Sequence, residues 1–239
     1  MTCKLCKKDR PLGKSQIYPE WLYTPIYDDD EGIFDRAMRR KRDRRTRPEV
    51  LYERLFCEEC EQRIAKWEGY AHDVFFGNDP GLKLEDLGSR FIISGVRYAP
   101  FKLFQMSLIW RASISDRPEI CRVDLGPHAE RLREMLLQEC PGENHRYGSF
   151  LLFPSSSLQP RILEFFGPPE RAARKFRGHT VYEGLFGGLV WLFIVSNHSE
   201  VLPDVMFLSE NGQLPFLVID VPDFESFSEM AFAGGEGDG

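Results

Sequence analysis

Cys57-Glu58-Glu59-Cys60 repeats the two-residue spacing of Cys3-Lys4-Leu5-Cys6 near the start of the chain. Two Cys-x-x-Cys pairs offer four thiolates to one zinc ion. The short spacer turns both sulfurs of a pair inward from a tight knuckle, and two knuckles close a tetrahedron with Zn–S distances of about 2.3 Å. The other readings of the same residues are two disulfides, four separate thiols, or a redox-active pair. The last lacks the βαβ pattern that accompanies such pairs. Residues 1–70 are rich in charge, broken by Pro11, Pro19, Pro25 and Pro48, and short of continuous apolar runs. A structural ion supplying on the order of 10 kcal/mol would carry much of their folding free energy.

The whole chain sets the bounds. Its 239 residues suit one large domain or two small ones, and 42% hydrophobic with 28% charged residues is ordinary for a globular protein. The longest apolar run, Leu189 to Val195, is too short to span a bilayer. Met1-Thr2-Cys3-Lys4 leads into no apolar h-region, so the expected location is cytoplasmic. Thiols stay reduced there, which favours metal over disulfides for paired cysteines. Cys121 and Cys140 are left over and read as plain buried thiols. The net charge is −6, unevenly spread: residues 1–47 hold 13 Lys and Arg against 8 Asp and Glu, so the front end is basic and the body acidic.

Between the knuckles lie Ser15-Gln16-Ile17-Tyr18-Pro19-Glu20 and then Leu55-Phe56-Cys57. A Cys-x-x-Cys, then Ser-x-Ile-x-Pro, then Leu-x-Cys-x-x-Cys resembles the zinc-stabilised branch of the HNH endonucleases, the ββα-metal nucleases. It is most similar to bacterial relatives with a Ser-His-Ile-Ile-Pro-Glu pattern. The resemblance covers roughly the first third of the chain. It implies a small treble-clef-like module with a structural zinc on Cys3, Cys6, Cys57 and Cys60. It also implies a His that deprotonates water for attack on a phosphodiester, and a divalent ion such as Mg²⁺ that stabilises the leaving oxygen. The residue at the position of that His is Gln16, whose amide cannot take a proton. Glu61 falls at or just before the family's metal-holding residue, where it would ligate Mg²⁺ or cap the following helix. The resemblance therefore points to a catalytically degenerate protein that binds nucleic acid or a protein partner, in a bacterial setting such as phage defence. An active endonuclease and a purely structural docking module are the alternatives.

Asp28-Asp29-Asp30-Glu31 precedes Arg36, Arg39, Arg40, Lys41, Arg42, Arg44, Arg45 and Arg47. Such a basic run would neutralise several phosphates of DNA or RNA. Its other reading is a solvated excursion from the module, paired in part with the acidic run. After Cys60, the apolar residues Ile64, Trp67, Ala71, Val74 and Phe75 recur at helical steps, which predicts a helix over 61–76. Glu61, Glu68 and His72 share a face of that helix. They offer a residual metal and catalytic site, or a solvated polar face.

Gly77-Asn78-Asp79-Pro80-Gly81 reads as a linker. The expected organisation is a zinc module over 1–78, a second domain over 90–225 and a tail over 226–239 rich in glycine. In the second domain the sequence predicts a strand over 91–96, an all-round apolar helix over 101–111, and a helix after Gly126-Pro127 that stops at Pro141-Gly142. Strands are expected at 149–153, 161–166, 180–183, 189–195, 205–208 and 216–219. Their short connections favour antiparallel pairing. The fold class is therefore α+β with a mainly antiparallel sheet. Gly184-Leu185-Phe186-Gly187-Gly188 is not a phosphate loop, because no Lys-Ser/Thr follows. His128, His145, His179 and His198 lack metal-ligand spacing.

Overall fold

The computed structural model describes residues 1–23, 50–120, 123–154, 167–172, 175–195 and 202–219. The basic segment 36–47, the strand expected at 161–166, Cys121, His198 and the tail lie outside them.

The N-terminal third is built as strand, strand, helix. β1 (Ser15–Gln16) pairs antiparallel with β2 (Tyr52–Glu53), with Ser15 opposite Glu53. A 3-10 turn at Glu20–Tyr23 follows β1, where Pro19 fixes the first bend and its carbonyl accepts the Leu22 N–H. Next comes α1 (Glu58–Phe76), three residues earlier than the apolar period alone predicts. The second knuckle is itself the first turn of this helix. Cys57 is its N-cap, and the Cys57 carbonyl accepts from the N–H groups of Cys60 and Glu61. Gly77, in the left-handed region, closes α1 by donating its N–H to the Asp73 carbonyl.

The remaining elements form one seven-stranded sheet and two further helices. β3 (Lys83–Asp86) and β4 (Arg90–Ser94) make a hairpin directly after the Gly77–Gly81 segment. α2 (Tyr98–Ile114) and α3 (His128–Gln138) follow. β5 (Ser149–Pro154), β6 (Gly167–Arg171), β7 (Thr180–Phe186), β8 (Leu189–Val195) and β9 (Gln213–Ile219) complete the sheet. The strand order is β3-β4-β9-β5-β8-β7-β6, and every pair is antiparallel except β5 with β9. The strand expected at 205–208 is instead a 3-10 turn at Asp204–Met206, closed by the Met206 N–H on the Pro203 carbonyl. β3 and β6 were not legible as strands. β3 is a short charged edge, and β6 carries Pro168 and Pro169, which sheets admit only at an edge.

One apolar cluster runs from Cys3 and Leu5 in the first knuckle, through α1 and α2, to Phe216 on β9. At its centre the fully buried Trp191 ring lies 5.1 Å from Phe186, 6.1 Å from Phe75 of α1 and 6.2 Å from Phe104 of α2. The opposite sheet face forms a second cluster of Phe150, Leu152, Val181, Leu192, Ile194 and Phe207. Alternation along the strands sends neighbours to opposite faces, so both clusters draw on the same strands. Every residue from Phe101 to Ala112 of α2 is buried, as an all-round apolar helix requires; Lys102, Gln105, Ser107 and Arg111 are buried with them. Cys140 is exposed rather than buried, because it lies just past the end of α3. Among the described residues no helix is long and apolar enough to cross a membrane.

Candidate metal centre

The two knuckles, fifty residues apart in the chain, meet at the N-terminus of α1. The first is a tight turn. The Lys7 N–H donates to the Cys3 carbonyl at 2.9 Å, and Lys7 takes φ 60°, the left-handed conformation that closes it. The Cys3 N–H donates to the Lys8 carbonyl at 3.0 Å, and the Lys4 N–H donates to the Leu55 carbonyl at 2.9 Å. That last bond lays the first knuckle beside the segment that leads into the second.

All four sulfurs lie within 4.8 Å of one another. Cys6 Sγ and Cys57 Sγ are 3.8 Å apart. A tetrahedron with metal–sulfur bonds of about 2.3 Å has edges of about 3.8 Å, so the cage has the dimensions of a four-thiolate site. Cys3, Cys57 and Cys60 are buried and Cys6 is partly exposed. The Cys57 N–H donates to Cys3 Sγ at 3.4 Å, the kind of backbone bond that steadies a thiolate ligand. Burial opposes ionisation of Cys57, but bonds from the Cys60 N–H and from the neighbouring sulfurs bring its thiol down to about 7. Burial pushes the Cys3 thiol up, and burial with the Cys3 charge pushes Cys60 well up. Four thiols packed this closely cannot all ionise alone; a divalent ion would supply the charge that lets them. Among the described residues this is the only cluster of its kind.

Two arginines tie the knuckles to the rest of the fold. Arg133 of α3 donates to the Leu5 carbonyl at 2.7 Å, and Arg63 of α1 donates to the Leu137 carbonyl at the end of α3. On the outer side Arg10 pairs with Glu59 at 2.6 Å.

Beside the cage lies a polar network. Glu61, on the first turn of α1, accepts the Ser15 hydroxyl proton. Ser15 Oγ in turn accepts the N–H groups of Leu55 and Phe56, both at 3.3 Å, so this fully buried hydroxyl is saturated. Burial raises the Glu61 carboxyl above its usual range, although Ser15 and Arg111 oppose the rise. Two turns further along α1, Glu68 accepts Arg111 Nη1 at 2.6 Å. The same nitrogen reaches the Gln16 carbonyl at 3.1 Å, and Arg111 Nε donates to the Ser107 carbonyl at 3.2 Å. The guanidinium is 1% exposed. The Gln16 side-chain amide donates to the Tyr52 hydroxyl at 3.3 Å. His72 stands apart from this network: its ring stacks on Phe76 at 4.3 Å and meets the edge of Trp21 at 5.8 Å. The face bearing Glu61 and Glu68 is therefore an interior polar seam rather than a solvated one. The residue that organises it is Arg111, which no motif in the sequence singles out. The available signal was a charge set inside an otherwise apolar helix.

Comparison with protein-family models, curated proteins and solved structures found no match.

Proposed function

We propose that the four cysteines hold one zinc ion, that the ion braces a strand–strand–helix unit of HNH-like design, and that the protein binds nucleic acid without cutting it. The observation that carries the reading is Arg111. Its buried guanidinium bonds the Gln16 carbonyl and the Glu68 carboxylate, so a fixed cation already fills the seam where a hydrolytic centre would need a metal ion and a water. Gln16 supplies no base, and its amide is engaged by Tyr52. Glu61, the residue nearest the family's metal-holding position, is committed to Ser15. Four soft thiolates in a small tetrahedral cage select zinc over the hard cations, and a closed four-sulfur shell leaves no open position for catalysis. When bound, the zinc supplies cross-linking rather than Lewis-acid chemistry. The eight basic residues within 36–47 then furnish the phosphate contacts.

Elemental analysis of the purified protein should give one zinc per chain. Affinity for DNA or RNA should fall steeply between low and moderate salt, by about 10³-fold if six phosphates are neutralised. Replacing Arg39, Arg40 and Arg44 with Glu should weaken binding further. Unchanged affinity in that variant would leave a structural unit that docks a protein. Metal-dependent cleavage of plasmid DNA, lost in Glu61→Ala, would mean an active endonuclease instead. The bacterial origin that the resemblance implies would extend the proposal to phage defence, checked by phage plating on a host expressing the protein.

A further inference from the structure

A second polar site forms where the helix-side face of the sheet runs out. Arg171 of β6 pairs in register with Tyr182 of β7, and Thr180 of β7 pairs with Val195 of β8. Cross-strand partners share a face, and so do residues two apart on one strand. These four side chains therefore stand together. The segment that leads into α3 closes over them, fastened by the Tyr182 hydroxyl, which donates to the Asp124 carbonyl. Between them is a cleft of ≈ 180 Å³. Its surface is mostly polar: Asp124, His128, Arg171 and Thr180 line it, over the buried Leu125, Tyr182 and Val195.

Arg171 and Thr180 present side-chain donors to the cleft. Arg171 has no ion pair among the described residues. Its neighbour Glu170 faces the other side of the sheet, opposite Glu183. Thr180 contributes a hydroxyl beside it. His128 opens α3 and is held by Tyr147, whose hydroxyl lies 2.9 Å from Nδ1. Arg131 also bonds that hydroxyl, and a guanidinium can only donate. Where the hydroxyl donates to Nδ1, Nε2–H of the neutral imidazole is left as a further donor. Burial, and secondarily Arg131, keep the His128 ring below its usual proton affinity, consistent with that neutral form. The one acceptor in the walls, the Asp124 carboxylate, is occupied in part by the Gly126 N–H at 2.9 Å.

We infer that this cleft binds a phosphate monoester through its phosphoryl group, with Arg171, Thr180 and His128 donating to the phosphoryl oxygens. Three donors from three separate elements suit a tetrahedral oxyanion with three free oxygens better than a planar carboxylate. The ligand is either a mononucleotide or the phosphorylated end of a strand. The site shares no residue with the cysteine cage, so it stands or falls apart from the zinc reading.

The test is calorimetric titration of the full chain with 5′-AMP, acetate, and a short oligothymidylate bearing either a 5′-phosphate or a 5′-hydroxyl. Comparing the two oligonucleotides cancels whatever the basic segment contributes. AMP should bind saturably and acetate should not. Arg171→Gln should weaken AMP by about tenfold or more, the value of one hydrogen bond to a charged group. Asp124→Asn should tighten it by removing the one opposing charge. Both variants should keep the wild-type melting temperature, since neither exposed side chain supports the core. A preference for the 5′-phosphorylated strand over AMP assigns the strand end; AMP binding without that preference assigns the mononucleotide. No saturable AMP binding, or an Arg171→Gln protein that binds AMP as wild type does, overturns the inference.

Discussion

Replacing Arg111 with Met tests the polar seam and the joint between the N-terminal unit and α2 at once. Met keeps the length and apolar stem of the side chain but removes the charge and every donor. Four bonds go with it: to Glu68 at 2.6 Å, the Gln16 carbonyl at 3.1 Å, the Ser107 carbonyl at 3.2 Å and Ser107 Oγ at 3.4 Å. The Glu68 carboxylate, 17% exposed, is left without its cation. Breaking a buried pair from one side costs about 3–5 kcal/mol, most of it the stranded charge. For a chain of this size that lowers the melting temperature by roughly 6–20 °C. Urea unfolding followed by tryptophan fluorescence reports the change from inside the region, because Trp110 stacks on Phe56 at 5.8 Å. Adding Glu68→Met should recover a large part of the loss, because the second change removes the charge the first one strands. The pH dependence has a definite sign. Glu61 already has a raised carboxyl in the folded state, and a raised carboxyl loses stability as pH climbs from the unfolded value through the folded one. Removing Arg111 raises it further, so the deficit of Arg111→Met should be larger at pH 7 than in mild acid. A cost under about 1 kcal/mol, with no recovery in the double variant, would refute the reasoning; it would place Arg111 among surface-like pairs of little worth.

On the proposed zinc reading, treatment with a chelator, or Cys60→Ser, should remove one metal equivalent and lower the melting temperature. Acidification should release the ion as the thiolates reprotonate, which a colorimetric metal indicator would follow. Burial pushes the Lys102 amine down from 10.5 to about 7. The unfolded chain then holds its proton to higher pH than the folded one, so this group makes stability rise between about pH 7 and pH 10.5; Lys102→Met should flatten that rise in denaturant melts. Gly212 has φ +83°, and a Cβ there would stand 2.5 Å from the Val96 carbonyl oxygen. Gly212→Ala should therefore destabilise by about 1–3 kcal/mol in the same melts, whereas Gly69→Ala, with nothing within 4 Å, should stabilise slightly.

What could be read from the sequence was whatever depends on local repetition. The Ile64–Trp67–Ala71–Val74 period marks α1, the apolar run around Leu103 and Trp110 marks α2, and the spacing of the cysteines marks the cage. Elements whose identity depends on distant partners were not visible. β1 and β2 are two residues each and exist only because Ser15 meets Glu53 across a long intervening segment. β3 is too polar to look like a strand until β4 folds back on it. The parallel pairing of β5 with β9 cannot follow from short connections, because it joins strands separated by three others in sequence. In the candidate site, the four sulfurs were legible because the two-residue spacer is itself the geometry. Ser15, Glu68 and Arg111 were not, because their meaning lies in contacts between α1, β1 and α2. His72 was misleading for the same reason: four residues from Glu68 along α1, it turns toward Trp21 and Phe76 instead.

The rims of the sheet limit how this molecule can meet others. Pro168 and Pro169 on β6 have no N–H to offer, and exposed Lys83, Glu85 and Asp86 guard β3. An added strand would find gaps on one side and charge on the other, so these two rims disfavour edge-to-edge pairing with another sheet. At these rims, contact with another molecule falls to side chains rather than to backbone.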